Sequence, residues 1–264
     1  MIDQLWAFLK KDYINASSYK MAFIFQFIGI FFSALSFFFI SKLIPNAAVA
    51  DYGGDYFSFV LIGIALSSFI GLGMGGFATI IRNMQTTGVI ETVLTSRTKL
   101  GIILVGSLLW SYVITLINIA VYFVLGVFIF GIKVNANIPA VIVVLILNSL
   151  CFNAIGIISA GLILIFKRGD PLTSIADKVF ALLGGTMYPI TIMPVWLQKI
   201  AMLLPITHSL NAMRHAVIQN YSFRELSMEL YFLSLFALIL VPISIVVFKF
   251  CLKKAKKEGS LIKY

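Results

Sequence analysis

The stretch RNMQTTGVIETVLTSRTK, residues 82–99, is a polar island between two long uncharged runs. No Asp, Glu, Lys or Arg occurs from Tyr56 to Ile81 before it, or from Leu100 to Ile132 after it. About 20 apolar residues cross the hydrocarbon core of a bilayer, so each run can hold a transmembrane helix. The island is then the connection between two spans, and its reading decides the fold.

The same pattern extends outward. Val134 to Phe166 is a third uncharged run, and Met21–Ile40, Val179–Pro194 and Leu230–Phe248 add three more. The chain is 61% hydrophobic and 11% charged, against about 25% charged for a soluble domain. These features predict an all-α integral membrane protein with six spans in one membrane domain over residues 1–264.

Basic residues orient it. Lys10, Lys11, Lys20, Arg82, Arg97, Lys99, Lys167, Arg168 and Lys178 fall on the side of both termini, with the lysines of the tail 249–264. Only Lys42, Lys133, Lys199, Arg214 and Arg224 fall on the other. The positive-inside rule therefore places both termini in the cytoplasm, and the net charge of +10 is mainly topogenic. No folded soluble face exists to carry a basic patch, which argues against nucleic-acid binding. The tail KKAKKEGSLIKY reads as a stop signal for the last span and could also hold anionic headgroups. Cys151 and Cys251 suggest no disulfide framework. The first apolar run begins only at Met21 and has the length of a full span, unlike a cleavable signal.

Residues 1–20 carry Ile2, Leu5, Trp6, Leu9 and Tyr13 at helical spacing. They predict an amphipathic helix in the membrane interface, serving as an anchor or as a brace. In the second span Gly71 and Gly75 stand in GxxxG spacing, which permits close helix packing, within the chain or across a dimer. Asn118, Asn148 and Asn153 lie within spans, where amides usually bond to neighbouring helices. Mid-span ionisable residues are absent from the sequence pattern, which disfavours a proton- or ion-coupled transporter.

Residues 188–220 are broken by Pro189, Pro194 and Pro205 into pieces too short to cross the bilayer. Trp196, Ile200 and Leu203 share one helical face, and Ile206, Leu210, Met213 and Val217 share another. Two short outer helices follow, dipping back into the membrane or covering a vestibule.

Catalytic signals are missing from the sequence. There is no G-x-x-x-x-G-K-[ST] and no H-E-x-x-H. His208 and His215 are two helical turns apart, about 10 Å, too far to share a metal. Asp170 in KRGDP reads as a loop turn.

Within the island a short helix can be drawn from Gly88 as N-cap, with Glu91 at the third position. Val89, Ile90, Val93 and Leu94 form its apolar face, and Thr87, Glu91 and Thr95 its polar stripe. By periodicity alone, Glu91 only caps this helix and the apolar face only rests on the bilayer.

Arg82, Gly88-Val89-Ile90-Glu91 and Val93-Leu94-Thr95 resemble the cytoplasmic signature of the type-2 ABC exporter permeases. In that family Gly-x-x-Glu, a leucine pair and Thr-Pro form a coupling helix; here Ser96 stands at the proline. Gly185, Tyr188-Pro189, Pro194, Trp196-Leu197, Pro205 and Arg214 are similar to the family's pattern after its fifth span. The likeness covers essentially the whole chain.

The resemblance implies a separate ATPase, in two copies, carrying ATP and Mg and docking on the island; this chain would hold no cofactor. Glu91 would make the polar contact and Val89, Ile90, Val93 and Leu94 the apolar one. Tyr188, Pro189, Pro194, Trp196, Pro205 and Arg214 would form the outer gate. A second permease copy would complete a homodimer in the cell membrane, surrounded by lipid. The cargo would be an amphipathic small molecule such as a drug, antibiotic or lipid, or alternatively a lipid-linked polysaccharide. A reading of another class, an ATP-independent membrane scaffold or enzyme, has no visible catalytic residues.

Overall fold

A computed structural model describes residues 2–53, 55–166 and 171–257, and every regular element among them is helical. The expectations for Lys167, Arg168, Asp170 and Lys263 lie outside the described residues. Among the described residues, five helices are long and apolar enough to cross a membrane. They are α2 (Lys20–Ser41), α3 (Tyr56–Thr86), α5 (Leu100–Phe128), α6 (Ile138–Phe166) and α10 (Ser227–Lys257). The shorter helices are α1 (Ile2–Ser17), α4 (Ile90–Thr95), α7 (Pro171–Leu183), α8 (Val195–Ala201) and α9 (Pro205–Ile218).

The expected span at Val179–Pro194 is not a continuous helix. Helix α7 stops at Leu183, and its 13 residues cover about 20 Å, against about 30 Å of hydrocarbon. The cause is local. Gly185 adopts a φ of +72°, which glycine tolerates without strain. The Tyr188 hydroxyl donates to the Leu182 carbonyl and seals the helix end. Pro189 and Pro194 then hold extended backbone, with ψ of 143° and 144°. The chain nonetheless changes ends of the bundle here. Gly161, late in α6, lies against Cys251 of α10, whereas Thr186, just past α7, lies against Gly63 near the start of α3.

Helix α1 and the last turns of α10 approach the same end of the bundle as the 82–99 segment. Phe8 of α1 packs on Gly106 early in α5, and Tyr13 meets Trp110 edge-on at 5.6 Å. Ala255 of α10 shares a buried cluster with Ile81 and Ile90. Helix α1 is therefore a brace on α5. Its inward residues include Leu5, Phe8 and Leu9, while Trp6 is 66% exposed.

The core forms where α6 lies along α3 and α10. The closest crossing uses Gly73 and Gly156: a Cβ on Gly156 would collide with the Gly73 carbonyl. Gly71 takes no part in this crossing. Gly71 has nothing within 4 Å of its Cβ position, because that helical face points out of the bundle. The buried amides serve packing: Gln26 donates to Asn118 at 3.0 Å, Ser209 to Asn148 at 3.0 Å, and Tyr112 to Asn153 at 2.6 Å.

Candidate functional site

The corner after α3 departs from its drawn form in an informative way. Helix α3 runs five residues past the uncharged stretch, to Thr86, so Gly88 is used to end it. Gly88 takes a φ of +70°, and its N–H donates to the Gln85 carbonyl at 3.2 Å. It is thus the left-handed residue that closes α3, not the N-cap of the next helix. Thr87 is the C-cap of α3, its hydroxyl donating to Asn83 O at 2.7 Å. Helix α4 starts from Val89, whose carbonyl accepts from Val93 N at 3.0 Å.

The apolar face of α4 points mostly inward. Ile90 is 1% exposed and packs with Ile81 of α3, Leu104 of α5 and Ala255 of α10. Leu94 rests on the same cluster, Val93 is half-buried, and Val89 is exposed. Ile90 is therefore unavailable to a docking partner, because tertiary packing has claimed it. Outward stand Val89, Glu91, Thr92 and Thr95.

Glu91 does not cap. Its carboxylate is exposed and makes no hydrogen bond or ion pair with the described residues, while Thr95 Oγ1 donates to the Glu91 backbone carbonyl at 3.0 Å. Arg82 is half-buried in the last turns of α3. Ser96 occupies the proline position with a φ of −67°, the value proline would impose. Its hydroxyl donates to Val93 O at 2.8 Å and its N–H to the same carbonyl at 3.3 Å. Serine thus ends α4 by hydrogen bonds where proline would end it by geometry.

One buried polar group at this corner has no counterpart. Gln85 is 4% exposed and neither its amide nitrogen nor its oxygen finds a partner. Nothing in its local sequence signalled burial.

At the far end of the bundle, the proline-broken segment separates into two kinds of helix. Helix α8 presents Trp196 and Ile200 outward, and Leu203 in the turn after it is exposed too, Trp196 being 65% exposed. Helix α9 lies directly on α6, α10 and α3, with Ile206, Leu210, Met213 and Val217 buried. Pro205 begins α9, where its missing N–H costs nothing. The Thr207 hydroxyl donates to the Ala201 carbonyl at 2.7 Å and fixes α9 against α8.

Arg214 is the centre of this region. It is 1% exposed; Nε donates to Phe59 O at 3.2 Å, and a terminal nitrogen to Thr186 O at 2.8 Å. The guanidinium lies 3.4 Å from the centre of the Phe59 ring and 5.6 Å from that of Tyr52. Burial pulls it down to about 9, which leaves it cationic at neutral pH. Arg214 thus joins α9, the start of α3 and the turn after α7. Gly63 completes the joint, because a Cβ there would strike the Thr186 carbonyl. Sequence reading found Arg214 but not Gly63, whose need is set by a backbone 123 positions away.

Between these two ends, α3 turns one narrow stripe outward: Ser68, Gly71, Gly75, Thr79, Asn83 and Thr86 are exposed or half-buried. Ser67 and Thr186 hydroxyls meet at 3.3 Å at its upper end. A small and polar stripe on the most enclosed long helix suits contact with something other than lipid tails.

The ABC-2 type transporter family matches residues 3–218. The chain belongs to that family: it is a multi-pass membrane protein and a permease subunit of an ABC transporter, a class that works with an ABC ATPase. No curated protein sequence matches it.

Proposed function

We propose that this chain is the membrane subunit of an ATP-driven exporter for an amphipathic small molecule such as a drug, antibiotic or lipid. The observation that carries the reading is Glu91: an exposed carboxylate without an internal partner, on a helix whose opposite side is locked into the bundle through Ile90. A carboxylate so placed suits a cationic or hydrogen-bonding groove on a soluble partner. That partner is a separate ATPase, in two copies, holding ATP and Mg. Val89 and the exposed part of Val93 supply the apolar contact.

Force on α4 reaches α3, α5 and α10 together, because Ile90 is packed among Ile81, Leu104 and Ala255. A second copy of the chain faces this one across the small, polar stripe of α3, and the two stripes border the path that opens and closes. Arg214, Tyr188, Pro189, Pro194, Trp196 and Pro205 shape its outer end. Both termini are cytoplasmic in this reading, which the distribution of basic residues supports.

The test is a pull-down of the tagged chain from native membranes in mild detergent, beside Glu91→Arg. Recovery of a P-loop ATPase with the wild type and its loss from the variant supports the reading. Equal recovery with both removes Glu91 from the contact. Orientation is checked with Trp196→Cys: an impermeant thiol reagent added to whole cells labels it, and labelling only after permeabilisation reverses the topology.

A further inference from the structure

We infer that the groove between α5 and α10, at the end of the bundle near residues 82–99, binds an anionic phospholipid. One acyl chain lies in the groove and the phosphate meets Lys249. The inference rests on membrane placement alone, not on the identity of the cargo or the ATPase.

The groove has a volume of about 310 Å³ and its walls are almost wholly apolar. Leu104 and Val105 of α5 face Ile245 and Phe248 of α10, with Ala160 of α6 at the floor. Gly101 lines its mouth, and nothing lies within 4 Å of where a Cβ would stand there. Within a bilayer an apolar cleft of this kind is filled by hydrocarbon, since neither water nor a soluble chain gains by entering it.

The mouth selects the headgroup. Lys249 lines the groove and is the first charged residue after the uncharged run of α10, which puts its ammonium at headgroup depth. Lys253 stands one turn further on, and Lys99 directly precedes Leu100 on the opposite wall. None of the three forms a salt bridge with a carboxylate of the described residues. Helix α5 begins between them without a side-chain cap, so its first amides add to the positive field. A lysine lining an apolar slot, with two further lysines close by in sequence, matches a lipid phosphate bearing net negative charge. A second copy of this chain would instead bring lysines against lysines.

The test is native mass spectrometry of the delipidated full chain with phosphatidylglycerol or phosphatidylcholine added. The variants are Gly101→Phe, which fills the slot from open space, Lys249→Ala, and Lys256→Ala/Lys257→Ala as a control that removes twice the charge further along α10. Wild type is expected to retain phosphatidylglycerol over phosphatidylcholine. Lys249→Ala should retain it about five-fold less, Gly101→Phe should lose it, and the control pair should behave as wild type. Unfolding midpoints without lipid show that Gly101→Phe is folded. The site is overturned by equal retention of both lipids, by wild-type retention in Gly101→Phe, or by a loss in the control as large as in Lys249→Ala. It is also overturned if Gly101→Phe merely converts a dimer to a monomer.

Discussion

The two polar breaks in this apolar chain treat their charges in opposite ways. At the corner after α3, Glu91 is exposed and unengaged, while the residue before it, Ile90, is sealed in the core. At the far end, Arg214 is sealed and engaged by two carbonyls and two aromatic rings, while Trp196 on the adjoining segment is exposed. A buried, fully coordinated charge holds a structure together, because moving it would strand both the cation and its acceptors. An exposed charge without a partner contributes little to the chain's own stability and is free to recognise another molecule. The contrast makes Arg214 an architectural residue and leaves Glu91 available for the contact proposed above.

That contrast can be broken most directly at Arg214. Arg214→Ala strands the carbonyls of Phe59 and Thr186 and should destabilise the protein by about 3 kcal/mol or more, read as a lowered unfolding midpoint in detergent. Arg214→Lys should recover only part, since an ammonium cannot reach two separated acceptors in the fixed geometry of a guanidinium. If Arg214→Ala unfolds like wild type, the joint is not structural.

Gly63→Ala tests the same joint from the other side. The added methyl meets a backbone carbonyl, not a flexible side chain, so about 2 kcal/mol of destabilisation is expected. Gly71→Ala, with open space around it, should cost nothing comparable in the isolated chain.

Gln85→Met should move stability the other way, by about 1 kcal/mol, because it removes a buried amide without partners while keeping its volume. A loss of stability would show that Gln85 is bonded in the working protein.

The smallest effect on stability belongs to Glu91→Arg, within about 0.5 kcal/mol of wild type, although it should abolish ATPase recovery. A large destabilisation would return Glu91 to a structural role and erase the contrast.

The sequence made much of this legible, for reasons specific to each element. Uncharged runs of span length appear as α2, α3, α5, α6 and α10 because backbone in lipid must satisfy its own hydrogen bonds. The prolines at 189, 194 and 205 marked real breaks because proline cannot donate to a helix. What differed was Val179–Pro194 as one continuous helix, since α7 stops at Leu183. Its hydropathy was adequate, but a glycine pair and two prolines outweighed it. Gly88 was misplaced for a related reason: where α3 ends depends on what its last turn packs against, not on where charge first appears.

The sequence by itself determined that the chain lives in a membrane, where its helices lie, and that residues 82–99 and 188–220 are its two exceptional segments. Those properties follow from hydropathy, charge and proline, which act locally along the chain. Only the tertiary structure decided that Ile90 faces inward and Glu91 outward, and that Gly73 rather than Gly71 meets α6. It alone decided that Gly63 must leave room for Thr186 beneath Arg214. These outcomes depend on which surfaces meet across distant parts of the chain, and periodicity gives a helix its faces without saying which neighbour each will touch.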